Sequence, residues 1–204
     1  MRDRSKTKEK ILDAVGTLLA KNGFSKLGIN TIAREAGVDK VLIYRYFGGL
    51  PQLLRHFASH GRFWPSIAEL LGDKRASLTD LAEASIAIMQ GYLKSIRQRP
   101  VTQEIMRWEL HERNELTDEL ARHREQQGLE LLALIDAPAK KARTTGDFNA
   151  CAAIIHAGLS YLVLRAKTAD TYIGVDLTSD EGWQRIHDGI AELVGAYVER
   201  LNNS

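Results

Sequence analysis

His56 and His60 stand four residues apart, a spacing that sets two imidazoles on one helix face, where a third ligand would complete a zinc site. No Cys or carboxylate lies nearby at ligand spacing, so a surface pair is the better reading. Glu109, His111, Glu112 and Glu115 supply the residue types of acid–base catalysis around one helix end. A solvated charged face accounts for them more simply. Cys151, in a row of alanines, reads as core. The chain has no phosphate-binding glycine loop, no Gly-x-Ser-x-Gly elbow and no dinucleotide-binding glycine string. The sequence thus offers no catalytic residue, no metal site and no cofactor site, and the expectation is a protein that is not an enzyme.

The remaining chemistry is that of recognition. Residues 1–50 hold ten Lys/Arg against five Asp/Glu, and residues 51–204 hold eighteen against twenty-one, so a basic head precedes a mildly acidic body. Clustered cations suit a phosphate backbone, because neutralising it releases condensed counterions. A solvated basic surface is the competing account of charge alone. Apolar residues at 44% and charged residues at 26% are those of a soluble globular chain, and no window is expected to be apolar enough to cross a bilayer. The charged start lacks the apolar run of a secretory signal, and a single cysteine excludes an internal disulfide. Both point to the cytoplasm.

Positioning these residues falls to helices. Ile11, Ala14, Val15, Leu18 and Leu19 recur at helical spacing up to Asn22-Gly23, giving a first helix from about Ser5 to Lys21. Ile29, Ile32, Ala33 and Ala36 form a short second apolar face closed by Gly37. Asp39 is placed to cap a third helix with Leu42, Ile43, Tyr46 and Phe47 on its apolar side, ended by Gly48-Gly49. Longer helices are expected near 51–60, 65–71, 78–98, 101–111, 116–135, 149–168 and 179–201, with breaks at Arg99-Pro100, 137–146 and 170–178. Tyr172 to Val175 is β-prone but lacks partners, which favours a loop.

Two short helices joined at Ala36-Gly37-Val38 are what a helix-turn-helix requires, since glycine permits the tight turn from which the second helix projects into a major groove. The string Ile32-Ala33-Arg34-Glu35-Ala36-Gly37-Val38-Asp39, continuing Lys40-Val41-Leu42-Ile43-Tyr44-Arg45-Tyr46-Phe47, closely resembles the TetR/AcrR family of bacterial regulators. Gly23-Phe24 and Leu53-Leu54 also sit where that family has them. The resemblance implies an all-α fold: a three-helix helix-turn-helix head over 1–50, then a helical ligand-binding and dimerisation domain over 51–204. It implies a regulator, expected to be a repressor, that binds a palindromic double-stranded DNA operator as a homodimer and is released by a small-molecule effector. A helical small-molecule-binding or protein-interaction module that no longer reads DNA is the alternative.

The implied DNA contacts are Asn30 and Thr31 at the positive end of the second helix, and Lys40, Val41, Leu42, Tyr44, Arg45 and Tyr46 on the third. Lys40 suits a guanine edge or a phosphate, and Val41 and Leu42 suit thymine methyls. Packing on the first helix is an open alternative for Tyr44 and Tyr46. Arg2, Arg4, Lys6 and Lys8 offer a basic arm. Two positions depart from the family pattern: Gly28 stands where Thr or Ser is usual, and Leu50 where a Lys commonly follows.

In the body, Ala153 and Ala157 with Trp183, Ile186, Ile190, Leu193 and Tyr197 form small-residue and apolar stripes suited to a two-fold seam. Thr178 and Glu181 have capping-box spacing at the start of the last helix. Trp64, Met89, Tyr92, Met106, Trp108, His111, His156 and Tyr161 are the candidate lining of an effector chamber, with burial in an ordinary core the alternative for each. No run of cations faces an obvious cavity, so the effector is expected to be apolar or aromatic. No membrane is implied.

Overall fold

A computed structural model of the chain describes residues 2–60, 63–72, 80–135 and 147–203. The expected break at 137–146, the start of the helix expected from residue 78, and the side chains of Arg2 and His60 lie outside the described residues. The described residues form ten α-helices and one short hairpin, divided into two compact units.

The first unit comprises residues 1–64 and 99–126. Helix α1 (Arg2–Asn22) packs on α2 (Ile29–Ala36), α4 (Leu50–His60) and α7 (Pro100–His111), while α3 (Lys40–Phe47) packs on α2 and α4. Ile11, Val15, Leu19, Ile32, Ile43 and Leu53 are fully buried between them. The periodic positions read from the sequence are therefore the core of the head. Pro100 opens α7, where its missing N–H leaves no bond unmade. The first part of α8 (Glu115–Leu134) completes this unit, and its last part belongs to the second.

The turn between α2 and α3 shows why the residue types at 36 to 39 carry weight. Gly37 has φ 64° and ψ 37°, the left-handed region that glycine enters without a Cβ penalty. Its N–H donates to the Arg34 carbonyl at 3.2 Å, and that of Val38 to the Ala33 carbonyl at 3.0 Å, satisfying the end of α2. Asp39 then accepts from the Val41 N–H at 2.8 Å, capping α3.

The second unit comprises residues 65–98 and 127–204. Its centre is α6 (Leu81–Arg97), which packs on α5 (Ile67–Leu71), α9 (Phe148–Arg165) and α10 (Asp180–Asn202). Between α9 and α10 the structure has a two-stranded antiparallel hairpin, β1 (Thr171–Tyr172) and β2 (Val175–Asp176), where a loop is expected from sequence. The strands are two residues long and turn at Ile173, whose φ of 47° is rare for a β-branched residue. The cap of α10 also differs from expectation. Ser179 Oγ accepts from the Gly182 N–H at 3.1 Å, and Thr178 instead donates from Oγ1 to Asp176 Oδ1 at 2.6 Å. The Thr178 hydroxyl, together with the Thr178 N–H, holds the Asp176 carboxyl below its usual range.

Candidate nucleic-acid interface

α3 has two faces of unlike duty. Ile43 and Phe47 point into the head core, while Val41 is 60% and Tyr44 55% exposed. Lys40 and Arg45 are also exposed, whereas Leu42 is half-buried. Apolar and aromatic side chains held in solvent by a helix anchored from its other face can touch base edges without unfolding anything.

The N-terminus of α2 meets this face. A groove of about 500 Å³ runs between them, lined by Ser25, Lys26, Asn30, Thr31, Lys40 and Tyr44 together with the backbone around Gly28. Four of the residues expected from sequence thus share one concavity. It combines two cations, hydroxyl groups and the free N–H groups of a helix start, a set that suits a phosphate. Ser25 and Lys26 were not foreseen; a lysine two residues ahead of a glycine-capped helix was the available signal.

Thr31 has a local duty as well. Its Oγ1 accepts from the Gly28 N–H at 3.0 Å and donates to the Gly28 carbonyl at 2.8 Å. This satisfies the Gly28 N–H, while the first-turn N–H groups that a Thr or Ser at position 28 would cap have no side-chain cap. Tyr46 is half-buried against the head core with the Arg4 guanidinium 5.5 Å over its ring, and Lys8 lies 5.6 Å over Phe47. Tyr46 is thus a packing residue first, and Arg4 and Lys8 rest on the aromatics of α3. Leu50 packs against the same core.

The expected chamber residues fall four in each unit. In the first, Trp108 stacks on Phe24 with centroids 3.1 Å apart and donates from Nε1 to Glu112 at 3.0 Å, so both its ring and its polar tip are engaged by the protein. Met106 is buried beside it in α7, and His111 is exposed at the helix end. Trp64 is buried, with the Arg124 guanidinium 5.6 Å over its ring. In the second unit the Tyr92 and His156 rings lie 4.1 Å apart at a tilt of 33°, and Tyr92 Oη is hydrogen-bonded to Ser160 Oγ at 2.8 Å. Met89 packs against the core of this unit, and Tyr161 is half exposed against Tyr172.

The expected seam residues also divide. Ala153, Ala157 and Leu193 are exposed, but Trp183 and Ile190 are buried in the chain's own core, and Ile186 and Tyr197 pack against it. Trp183 is fixed further by donating from Nε1 to the Leu177 carbonyl at 2.7 Å and by Arg97, 4.2 Å over its ring. The periodic stripe of α10 is therefore largely its intrachain face. What α9 leaves outside is Ala153, Ile154, Ala157, Gly158 and Tyr161, with Ile154 72% exposed. By length and composition α9, eighteen residues of mean hydropathy 1.3, is apolar enough to cross a membrane, contrary to the reading of the sequence alone.

Glu109 departs most from expectation. It is no part of a solvated face: its side chain is 6% exposed and meets Arg124 at 2.6 Å. Burial pushes its carboxyl above the usual range, outweighing the pull of Arg124. With the folded pKa above the unfolded one, the native state binds more protons, so stability from this group falls as pH rises. Melting Glu109→Gln beside the parent chain between neutral pH and about pH 4 is expected to show the parent gaining on the variant as the pH drops. A constant difference would contradict it. Among the described residues no group of three His, Cys, Asp or Glu is placed to hold a metal.

Residues 11–59 match the family model of the bacterial regulatory proteins, tetR family. No curated protein matches the chain. Among solved structures, a TetR family transcription regulator from Marinobacter aquaeolei VT8 is 20% identical with a TM-score of 0.63, covering 95% of this chain and 98% of its own. The fatty acid degradation regulator FadR from Bacillus halodurans is 21% identical with a TM-score of 0.67, over 91% and 94% of the two chains. FadR from Bacillus subtilis, solved in complex with stearoyl-CoA, is 19% identical with a TM-score of 0.67, over 91% and 96%. The resemblance carried by residues 32–47 is borne out: the head is of the TetR type, and the whole chain has the all-helical fold of TetR-family transcription regulators.

Proposed function

We propose that this chain, a TetR-type head on the fold of the TetR-family regulators, is a cytoplasmic, ligand-responsive transcriptional repressor that binds a palindromic operator as a homodimer. The observation that carries the DNA-binding part is the groove where Lys26, Asn30, Thr31, Lys40 and Tyr44 meet beside the exposed Val41. Phosphate contacts fix the register there, and Lys40 and Val41 reach base edges. Because one head reads only a few base pairs, two heads about 34 Å apart supply the specificity.

The dimer reading rests on α9, an apolar helix whose outer face presents Ala153, Ile154 and Ala157 to solvent, and on the exposed Leu193 of α10. Small residues allow the close approach of a second copy's helices. An effector that binds better to a conformation with displaced heads weakens operator binding by its differential affinity for the two states. That one protein of this fold was solved with stearoyl-CoA supports an effector with a large apolar part.

The test is a titration of the gene's own upstream DNA across salt concentrations. Binding is expected to weaken steeply with salt and to prefer one palindrome. In Lys40→Ala the slope of log affinity against log salt should fall by about one if Lys40 meets a phosphate. Flat, weak binding in the parent chain would reject the regulator in favour of a module that no longer reads DNA.

A further inference from the structure

The operator face leaves a second polar constellation of the first unit unused. Glu109 on α7 and Arg124 on α8 meet at 2.6 Å, and the Arg124 guanidinium lies over the ring of Trp64. Two polar atoms here are sealed from solvent without a partner: Glu109 Oε1 and Trp64 Nε1. Arg124 engages Glu109 through Oε2 alone, which balances the charge and leaves Oε1 without a donor. Beside them stands an apolar wall, with Phe63 5.5 Å from Trp64 and Phe57 stacked on Phe63 at 5.3 Å.

Buried polar atoms are almost always paired, and a carboxylate oxygen without a donor beside an indole N–H without an acceptor is a combination that folding alone selects against. The two vacancies are complementary. The indole needs an acceptor and the carboxylate needs a donor, and a hydroxyl is one small group that is both. Charge narrows the class further. A ligand anion would meet the Glu109 carboxylate and a ligand cation the Arg124 guanidinium, while a neutral head leaves the pair balanced.

We propose that Trp64, Glu109 and Arg124 form the polar anchor of an effector site for a neutral, hydroxyl-bearing amphiphile. Trp64 Nε1 donates to the hydroxyl oxygen, the hydroxyl proton is donated to Glu109, and the apolar part lies along Phe63 and Phe57. This rests on the ligand-responsive reading above and supplies the chemistry of its ligand.

The test titrates the full chain calorimetrically with decanol, decyl methyl ether, decanoate and decylamine. Decanol is expected to bind about ten- to a hundredfold more tightly than the ether, which can accept from Trp64 but has no proton for Glu109. Glu109→Gln should shrink that preference toward unity, and Trp64→Phe should weaken alcohol and ether alike. Equal affinity for alcohol and ether, tighter binding of decanoate or decylamine, no binding of any of the four, or an unchanged preference in Glu109→Gln would each overturn the assignment. Should Glu109→Gln not fold, Trp64→Phe is read in its place, and unchanged decanol affinity there is equally decisive against it. Operator binding is measured in parallel. Intact operator binding without an alcohol preference rejects the anchor alone, and an alcohol preference without operator binding rejects the regulator alone.

Discussion

Ile154→Asp is expected to convert a dimer to monomers and to lower operator affinity about a hundredfold or more, since the second head then no longer binds as a tethered partner. The side chain is 72% exposed in the single chain, so the charge meets water when the subunit is alone and is buried only against another copy. Helix content by circular dichroism should therefore stay unchanged while sedimentation shows half the mass. A variant that stays dimeric at micromolar concentration and keeps its operator affinity would remove the α9 face from the interface. Ile190→Asp would not serve, because Ile190 is buried within the chain and a charge there unfolds the second unit before any dimer is tested.

Gly182→Ala is expected to destabilise the second unit by about 2 kcal/mol, against the usual direction for such a change. Alanine in place of glycine within a helix normally gains about 1 kcal/mol. Here a Cβ at position 182 would fall on the carbonyl oxygen of Asp176, inside any allowed contact, and its target is backbone that cannot swing aside. The hairpin segment is also tied to α10 by Trp183, which donates to the Leu177 carbonyl, and by Arg185, which donates to the Gly174 carbonyl. Overpacking therefore outweighs propensity, and the melting midpoint should drop by roughly 4–8 °C. An unchanged or raised midpoint would mean that the hairpin can move away from α10 at little cost.

Legibility from sequence followed the range of the interactions involved. The end of α2, the turn and the cap of α3 are fixed by bonds within five residues, through Gly37 and Asp39, and a reader of residue types can find them. The stripe of α10 was equally visible as a stripe. Periodicity says that one face is apolar but not whether a neighbouring helix or another chain covers it, and Trp183 and Ile190 turned out to face α6 and its neighbours. Glu109 illustrates the same limit from the polar side. Its string of Glu and His reads as a wet surface, and only the approach of α8 and Arg124 closes it. The hairpin escaped because its strands are two residues long and its turn is Ile-Gly rather than a dipeptide that favours the left-handed region at both positions.

The two faces of α3 have a consequence for how such a protein can diversify. Ile43 and Phe47 carry the packing of the helix, and Lys40, Val41 and Tyr44 carry none that the fold depends on. Under the proposed function, exchanges at the outer positions are expected to alter which bases are preferred while leaving the melting behaviour of the head within the small range of surface substitutions. On that proposal a duplicated copy of this gene can drift to a new operator without passing through an unstable intermediate. The same three positions are where a synthetic regulator with a redirected target would be selected from a library.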